Sequence, residues 1–258
     1  MPASADTRAR ALWAGPAAVR TLAAARLGVV EIALRPGGYL RLAGDPLEWL
    51  HAAPPRAPRG PLTLVVAGLE RSPLTPGALV DARDGALEIG PLRIDLGGLP
   101  AIGADVPARR TLRPGWRAAL AAALDVVPAP PAELDGGLAA LRLGEVAEAV
   151  AALAGRGGGL TPAGDDVLAG FAAWRHQDGR AAALSGSGAG RCSPIGIAYL
   201  RCAERGELPE PAARAMRAIC DGDARLARRR ARALSAWGAS SGAAILWGIA
   251  AAAAGARS

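Results

Sequence analysis

Residues 155–170 have the sequence GRGGGLTPAGDDVLAG, which differs from the alanine-, leucine- and arginine-rich sequence around it. Three successive glycines allow positive φ angles and let backbone N–H groups come close to a ligand. Thr161 is a preferred N-cap residue, and Pro162 suits the first position of a helix. The stretch therefore predicts a loop that ends at a helix amino terminus. Its unpaired N–H groups and helix dipole favour a bound anion.

Two adjacent carboxylates, Asp165 and Asp166, fall in the first turn of this predicted helix. In the simpler interpretation they only balance the positive end of the helix dipole. In the alternative, one of them holds a metal ion, accepts a substrate N–H group or acts as a base. Adjacent side chains diverge by about 100° around a helix. We therefore expect one carboxylate to face the loop and the other a neighbouring helix.

The helix that carries these carboxylates has a second copy near the end of the chain. Residues 163–173 (AGDDVLAGFAA) and 241–251 (SGAAILWGIAA) are identical at five of eleven positions, and the Gly-Leu-Gly spacing returns 78 positions later. The second copy follows WGASS and has Ala243 and Ala244 in place of the carboxylates. We predict two related loop-to-helix units whose amino termini converge on one anion, with the acidic pair supplied only by the first unit.

The two halves of the chain have different patterns. Residues 26–106 contain short β-prone runs separated by turn signals such as Asp84-Gly85. From Trp116 onward the periodicity is helical, with prolines at helix starts and glycines at helix ends. The predicted fold class is α+β: a small antiparallel β barrel or sandwich (residues 1–110), then an all-α domain (residues 111–258). The β-rich half contains no convincing catalytic cluster.

Composition excludes several classes of chemistry. All basic residues are arginines, so a Schiff base and a Walker-type phosphate lysine are impossible. The net charge is +7, but aromatics make up only 3% and no basic tail is present, which argues against nucleic-acid binding. Three cysteines without metal-ligand spacing and two distant histidines argue against a disulfide framework and a zinc site.

The chain has no sequence typical of a leader or a membrane span. Its first residues include arginines but no continuous apolar core. The apolar run at residues 241–256 is shorter than the ~20 residues that a membrane span requires, so it predicts a buried helix. We expect a soluble, cytoplasmic protein with no membrane partner.

Two further segments allow alternative interpretations. The arginines of residues 223–237 (DARLARRRARALSAW) form either a solvated helix face or a surface for an anionic ligand or acidic partner. Residues 184–190 (LSGSGAG) form either a mobile lid near a site or a slack connection between helices.

The segment GGGLTPAGDD, followed by VLAG, resembles the signature of the AllH-type family, which includes a subunit of oxamate carbamoyltransferase. The Arg-Thr-type segment of that family is matched by Arg191-Cys192-Ser193, and its Gly-His-Ser-Ser-Gly-like segment by residues 238–242. The chain departs from the pattern at Ala239, where the family often has histidine, and at Cys192, where threonine is usual. If that histidine is catalytic in relatives, the reaction is lost or changed here.

The resemblance implies carbamoyl exchange between phosphate and oxamate within a complex of several subunits. Oxamate and carbamoyl phosphate give oxalurate and phosphate, or the reverse. The implied ligand is a small anion such as a phosphate, carboxylate or carbamoyl compound. No cofactor is implied, although a divalent cation at Asp165 or Asp166 stays open. The alternative is a non-catalytic anion-binding or scaffolding subunit of a larger enzyme complex.

Site residues follow from the same reasoning. The predicted catalytic residues are Asp165 and Asp166, and we expect their replacement by asparagine to stop turnover and leave the fold intact. The predicted anion-binding residues are Gly157, Gly158, Gly159, Thr161, Gly164, Arg191, Ser193, Ser240, Ser241 and Gly242.

Overall fold

The computed structural model describes residues 7–24, 26–44, 48–103, 111–180 and 183–255. The chain divides into two compact units, residues 1–103 and 104–258. The predicted domain boundary at residue 110 falls on a segment, 104–110, that lies outside the described residues.

The first unit is a closed β barrel. In the described part of this unit, eight strands and one α-helix follow each other along the chain. They are β1 (Thr7–Ala14), α1 (Pro16–Ala24), β2 (Leu27–Leu34), β3 (Gly37–Leu42), β4 (Glu48–Ala53), β5 (Thr63–Ala67), β6 (Leu79–Arg83), β7 (Ala86–Ile89) and β8 (Leu92–Asp95). The order around the barrel is β1-β5-β4-β3-β2-β6-β7-β8.

The prediction of an antiparallel barrel or sandwich is correct only in part. The sheet closes on itself, so it is a barrel, but β4 pairs with β5 and β1 pairs with β8 in parallel. Parallel neighbours need a crossover rather than a hairpin, and residues 54–62 provide one between β4 and β5. Sequence turn signals report only hairpins between consecutive strands, so neither parallel pair was visible in them.

Alternating side chains of the strands fill the barrel interior, as a small barrel requires. Leu40, Leu50 and Leu64, from three adjacent strands, are fully buried in it. On β3 and β4, the Tyr39 and His51 rings stack with centroids 4.6 Å apart. Burial lowers the pKa of His51 to about 4, so this ring is neutral in the folded protein near neutral pH.

In its described residues the second unit is helical, as predicted, and contains no strand. Its helices are α2 (Trp116–Leu124), α3 (Asp135–Leu143), α4 (Val146–Leu153), α5 (Ala163–Gln177), α6 (Leu184–Gly188), α7 (Pro194–Ala203), α8 (Glu210–Cys220), α9 (Ala224–Ser235) and α10 (Ser241–Ala254). In the described ranges, the structure has no helix with the length and apolar character needed to cross a membrane.

The centre of this unit is the contact between α5 and α10, which are buried over almost their whole length. A Cβ atom at Gly170 would lie 2.1 Å from the Ile245 carbonyl oxygen, and one at Gly248 would lie 2.0 Å from the Val167 carbonyl oxygen. Each helix therefore needs glycine where the backbone of the other crosses it. The repeated Gly-Leu-Gly spacing supplies both glycines.

Candidate functional site

Helices α5 and α10 are entered in the same way, as the sequence repeat predicts. The Gly164 N–H donates to the Arg156 carbonyl oxygen (2.9 Å), and the Gly242 N–H donates to the Trp237 carbonyl oxygen (3.3 Å). The intervening loop has seven residues (157–163) in the first unit and four (238–241) in the second. The first unit thus carries three extra residues at the same structural position.

The preceding helices also meet the two units in the same way. A Cβ atom at Gly164 would lie 1.9 Å from the Leu153 carbonyl oxygen at the end of α4. One at Gly242 would lie 1.8 Å from the Leu234 carbonyl oxygen near the end of α9. Gly164 and Gly242, predicted to bind an anion, therefore have a packing role: each allows a helix end to lie against a helix start.

The two helix starts lie side by side. Thr161 Oγ1 and Ser241 Oγ share a hydrogen bond of 3.1 Å. The predicted role of Thr161 as N-cap is wrong: α5 begins at Ala163, its N-cap is Pro162, and no side chain caps it. The Thr161 hydroxyl instead faces Ser241 and the carboxyl group of Asp166. Proline fixes the backbone at the cap, which leaves this hydroxyl available for the neighbouring unit.

The carboxylate of Asp165 is buried and holds its surroundings together. Its Oδ1 accepts a hydrogen bond from the Gly155 N–H (2.7 Å), and its Oδ2 accepts one from the Ser193 N–H (2.8 Å). Only 1% of the residue is exposed. Charged hydrogen bonds of this kind are about twice as strong as neutral ones. Asp165 thereby ties the end of α4 to the start of α7.

Asp166 has a different environment on the adjacent face of α5. The pKa of Asp166 is raised to about 7. Burial is the largest cause, hydrogen bonds donated by Ser241 and Thr161 lower the pKa in part, and the charge of Asp165 raises it. Within the described ranges, its Oδ2 atom has no hydrogen-bond partner although it is buried. An unpartnered buried oxygen is costly, so Asp166 is the group here that is poised to take up a proton or a ligand contact.

Ser193 joins the glycine loop to α7. Its Oγ accepts a hydrogen bond from the Gly196 N–H (2.9 Å) as the N-cap of that helix and donates one to the Leu160 carbonyl oxygen (2.9 Å). The neighbouring thiol of Cys192 is half-buried. Burial together with the charge and hydrogen bond of Asp165 raises its pKa to about 12. Cys192 is therefore not a thiolate nucleophile.

Several predicted residues stay at the surface without such contacts. Gly158 and Gly159 are exposed in the loop, and Gly157 and Gly159 have φ angles of 101° and 94°, which favour glycine. The Arg191 side chain is exposed, and its guanidinium has no hydrogen bond or ion pair to the residues that the structure describes. Ser240 is the N-cap of α10, but its side chain caps nothing.

The arrangement concentrates positive potential at one place. Helices α5 and α10 start at the Thr161–Ser241 contact and cross further along, so they run in the same direction and their dipoles add. Asp165 is already bound to two N–H donors, which leaves Asp166 as the carboxyl group that faces the junction of the two starts. Chemically, these features suit the binding of a small anion and the exchange of a proton with it.

A metal ion has little support at this junction. Both oxygens of Asp165 accept backbone N–H groups and are not free to bind a cation. Over the described ranges, no group of three or more His, Cys, Asp or Glu side chains could hold a metal ion.

Residues 184–190 include the short helix α6. The sequence left open whether this segment is a mobile lid or a slack connection between helices. It is anchored because the Ser185 N–H and Oγ both donate to the Glu204 carboxylate, each at 2.7 Å. Sequence reasoning also did not identify the N–H group of Gly155 as a partner of Asp165. It had no signal for this pair, because a backbone donor carries no side-chain pattern.

The comparisons with known proteins agree with the sequence resemblance. The family described as oxamate carbamoyltransferase subunit AllH matches residues 153–253. No curated protein and no solved structure matches the chain significantly. The matched segment includes both loops, the two carboxylates and the α5–α10 crossing. Residues 153–253 of the 258-residue chain are therefore similar to the AllH-type family.

Proposed function

We propose that the chain is a subunit of a carbamoyl-transferring complex of the oxamate carbamoyltransferase type, and that it binds a small anion at the junction of α5 and α10. The description of the matching family supports the subunit assignment. The observation that carries the site is the buried Oδ2 atom of Asp166. It lacks a hydrogen-bond partner among the described residues and lies where two helix amino termini meet.

The ligand class follows from the charges at this junction. The dipoles of two aligned helix starts give a combined positive potential, which suits phosphate or carboxylate oxygens. The Thr161 and Ser241 hydroxyls, which hydrogen-bond each other and the Asp166 carboxyl group, line the same place. Arg191, exposed and unpaired in the described residues, is the proposed clamp for a second anionic group.

Asp166 is the proposed proton carrier of the reaction. The amide nitrogen of oxamate attacks the carbonyl carbon of carbamoyl phosphate, the new C–N bond forms, and the C–O bond to phosphate breaks. The nitrogen loses one proton, which Asp166 accepts and passes to an oxygen of the leaving phosphate. A pKa of about 7 suits a group that must accept and release a proton near neutrality.

Asp165 has a separate role in this proposal. Its two oxygens are engaged by the N–H groups of Gly155 and Ser193, so it positions the loop and does not touch the reacting atoms. The sequence interpretation assigned catalysis to both carboxylates; the proposal assigns it to Asp166.

Calorimetry and a turnover assay test the proposal. The isolated chain is titrated with phosphate, oxamate, oxalurate and carbamoyl phosphate, and turnover is measured with the partner subunits present. Asp166→Asn retains the shape of the protonated carboxyl group. We therefore expect it to bind phosphate within a few-fold of wild type and to lose turnover by about 100- to 10,000-fold. Asp135→Asn, which removes an exposed carboxylate from the first turn of α3, is the matched control.

The outcomes separate the two candidate functions. Binding without turnover for the wild-type chain in any assembly would favour a non-catalytic anion-binding subunit, for which the replacement of the family's frequent histidine by Ala239 is the supporting observation. The anion site is wrong if no titrated anion binds, and the role of Asp166 is wrong if its asparagine variant turns over like Asp135→Asn.

A further inference from the structure

Helix α9 carries a line of arginines on one side, none of which belongs to the anion site. The arginines are Arg225, Arg228, Arg229 and Arg232. They occupy positions i, i+3, i+4 and i+7, which share one face of a helix and extend over about 10 Å. They border a cavity of about 590 Å³. The residues that line it are Asp223, Arg225, Leu226, Arg228, Arg229 and Arg232. We call the four arginines the α9 arginine stripe.

Packing of α9 holds the α9 arginine stripe at the surface. The opposite side of α9 is buried in the core of the helical unit through Ala227, Ala231 and Leu234. This contact fixes the rotation of the helix about its axis. The arginines therefore project from a helix whose orientation is set by packing.

The stripe lacks balancing negative charge. Arg228 pairs with Asp125 (2.8 Å), but both side chains are half-exposed or more. The guanidinium groups of Arg225, Arg229 and Arg232 form no ion pair or hydrogen bond with any described residue. Like charges at these spacings repel each other, so an anionic partner would relieve a cost that the helix carries alone.

The amino terminus of α9 adds to this imbalance. Asp223 is already used as N-cap, because its Oδ1 accepts a hydrogen bond from the Leu226 N–H (2.8 Å). Arg225 lies in the first turn, where the helix dipole disfavours a positive charge. No acidic residue occupies that turn.

We propose that the α9 arginine stripe binds an acidic helix of a partner protein. Carboxylates at positions i, i+3, i+4 and i+7 of a facing helix match the spacing of the stripe, and arginine binds carboxylates through paired hydrogen bonds. Among the described residues that line the cavity, Leu226 is the only apolar one and none is aromatic, so bases have nothing to stack on. This surface goes beyond the proposed anion site and uses none of its residues.

Two synthetic peptides test the proposal by fluorescence anisotropy against the full chain. Both are alanine-based, about 18 residues long and contain four glutamates. In one the glutamates follow the i, i+3, i+4, i+7 spacing, and in the other they are distributed around the helix. We expect the first peptide to bind at least tenfold more tightly than the second, with affinity that falls as salt is added.

Two triple variants with equal loss of charge identify the surface. Arg225→Gln, Arg229→Gln and Arg232→Gln together should weaken binding of the first peptide at least tenfold. The control combines Arg142→Gln, Arg205→Gln and Arg214→Gln, all at exposed positions of the helical unit, and should change binding less than twofold. Circular dichroism checks that both variants fold, and Arg→Lys replacements in the stripe should retain more binding than Arg→Gln.

Three results would overturn the inference. These are equal binding of the two peptides, equal weakening by the two triple variants, or tighter binding of a duplex oligonucleotide than of the first peptide at the same salt concentration. Because the anion site is not altered, its titrations with phosphate report separately on the proposed function.

Discussion

Two carboxylates that are adjacent in the sequence have opposite consequences for the protein. Asp165 accepts two backbone N–H groups, whereas Asp166 has one buried oxygen without a partner among the described residues and a raised pKa. The difference follows from the angle of about 100° between adjacent side chains on a helix. One face of α5 meets the end of α4 and the start of α7, and the next meets the start of α10.

Asparagine at the two positions should therefore change stability in opposite directions at pH 7. Asp165→Asn turns an NH₂ group or a weaker acceptor toward buried N–H donors, and we expect a loss of about 2–4 kcal/mol. Asp166→Asn removes a carboxyl group that resists ionisation in the folded state, and we expect a gain of up to ~4 kcal/mol. Urea denaturation of both variants measures the two effects. Equal signs would contradict the assigned environments.

The pattern of the sequence was sufficient to identify this pair but not to divide its roles. The sequence itself contains the glycines, the Thr-Pro pair and the two carboxylates at a helix start. It also predicts that the two carboxylate side chains point in different directions. The partners of Asp165 are N–H groups of Gly155 and Ser193, 10 and 28 positions away. Backbone donors at such separations follow from the tertiary fold and could not be read from the sequence. That Asp165→Asn leaves the fold intact stays a prediction, which the urea denaturation checks.

At the scale of helices, the reciprocal glycine contact between α5 and α10 makes a direct prediction. Gly170→Ala places a Cβ atom against the Ile245 carbonyl oxygen, which cannot move without its helix. We expect a loss of about 1–3 kcal/mol despite the better helix propensity of alanine. Gly136→Ala in α3 is the control, since a Cβ atom there meets nothing within 4 Å.

The control should be neutral or gain up to about 1 kcal/mol in the free energy of unfolding. Equal effects of the two substitutions would mean that the crossing tolerates a methyl group. The repeat itself was readable from the sequence, because glycine and leucine spacing survives in an alanine-rich chain. That the two copies touch each other through these glycines was not, because spacing within one helix does not report which helix lies against it.

For the whole molecule, the two compact units should respond to pH in opposite ways. His51 in the barrel has a pKa lowered to about 4, so the folded barrel binds fewer protons than the unfolded chain between pH 4 and 6.5. Its contribution to stability is present above pH 6.5 and is lost as pH falls. Asp166 has a pKa raised to about 7, so its contribution is present below about pH 4 and is lost as pH rises toward 7.

Calorimetry between pH 4 and 7.5 checks this expectation through differences from two variants, His51→Gln and Asp166→Asn, since other titrating groups then cancel. As pH rises, the free energy of unfolding of wild type should increase relative to that of His51→Gln and decrease relative to that of Asp166→Asn. Slopes of the same sign would show that one of the two groups is more solvated than its burial indicates.

At this scale, the sequence predicted an antiparallel barrel or sandwich followed by helices, but not which of the two it is or how the barrel closes. Hairpin signals describe neighbours along the chain. The parallel pairs of β1 with β8 and β4 with β5 depend on contacts between strands that no turn connects directly. Strand β1 was also overlooked, although Thr7–Ala14 alternates polar and apolar residues over part of its length.

The crossing of α5 and α10 at Gly170 and Gly248 is a pivot point of the helical unit. The two helices cross at these glycines, and their amino-terminal ends meet at Thr161 and Ser241, about 10 Å along the axis. A change in the distance between the helices at this crossing therefore changes the distance between their amino-terminal ends. We therefore expect Gly170 and Gly248, which lie outside the proposed anion site, to influence the size of the anion that this site accepts.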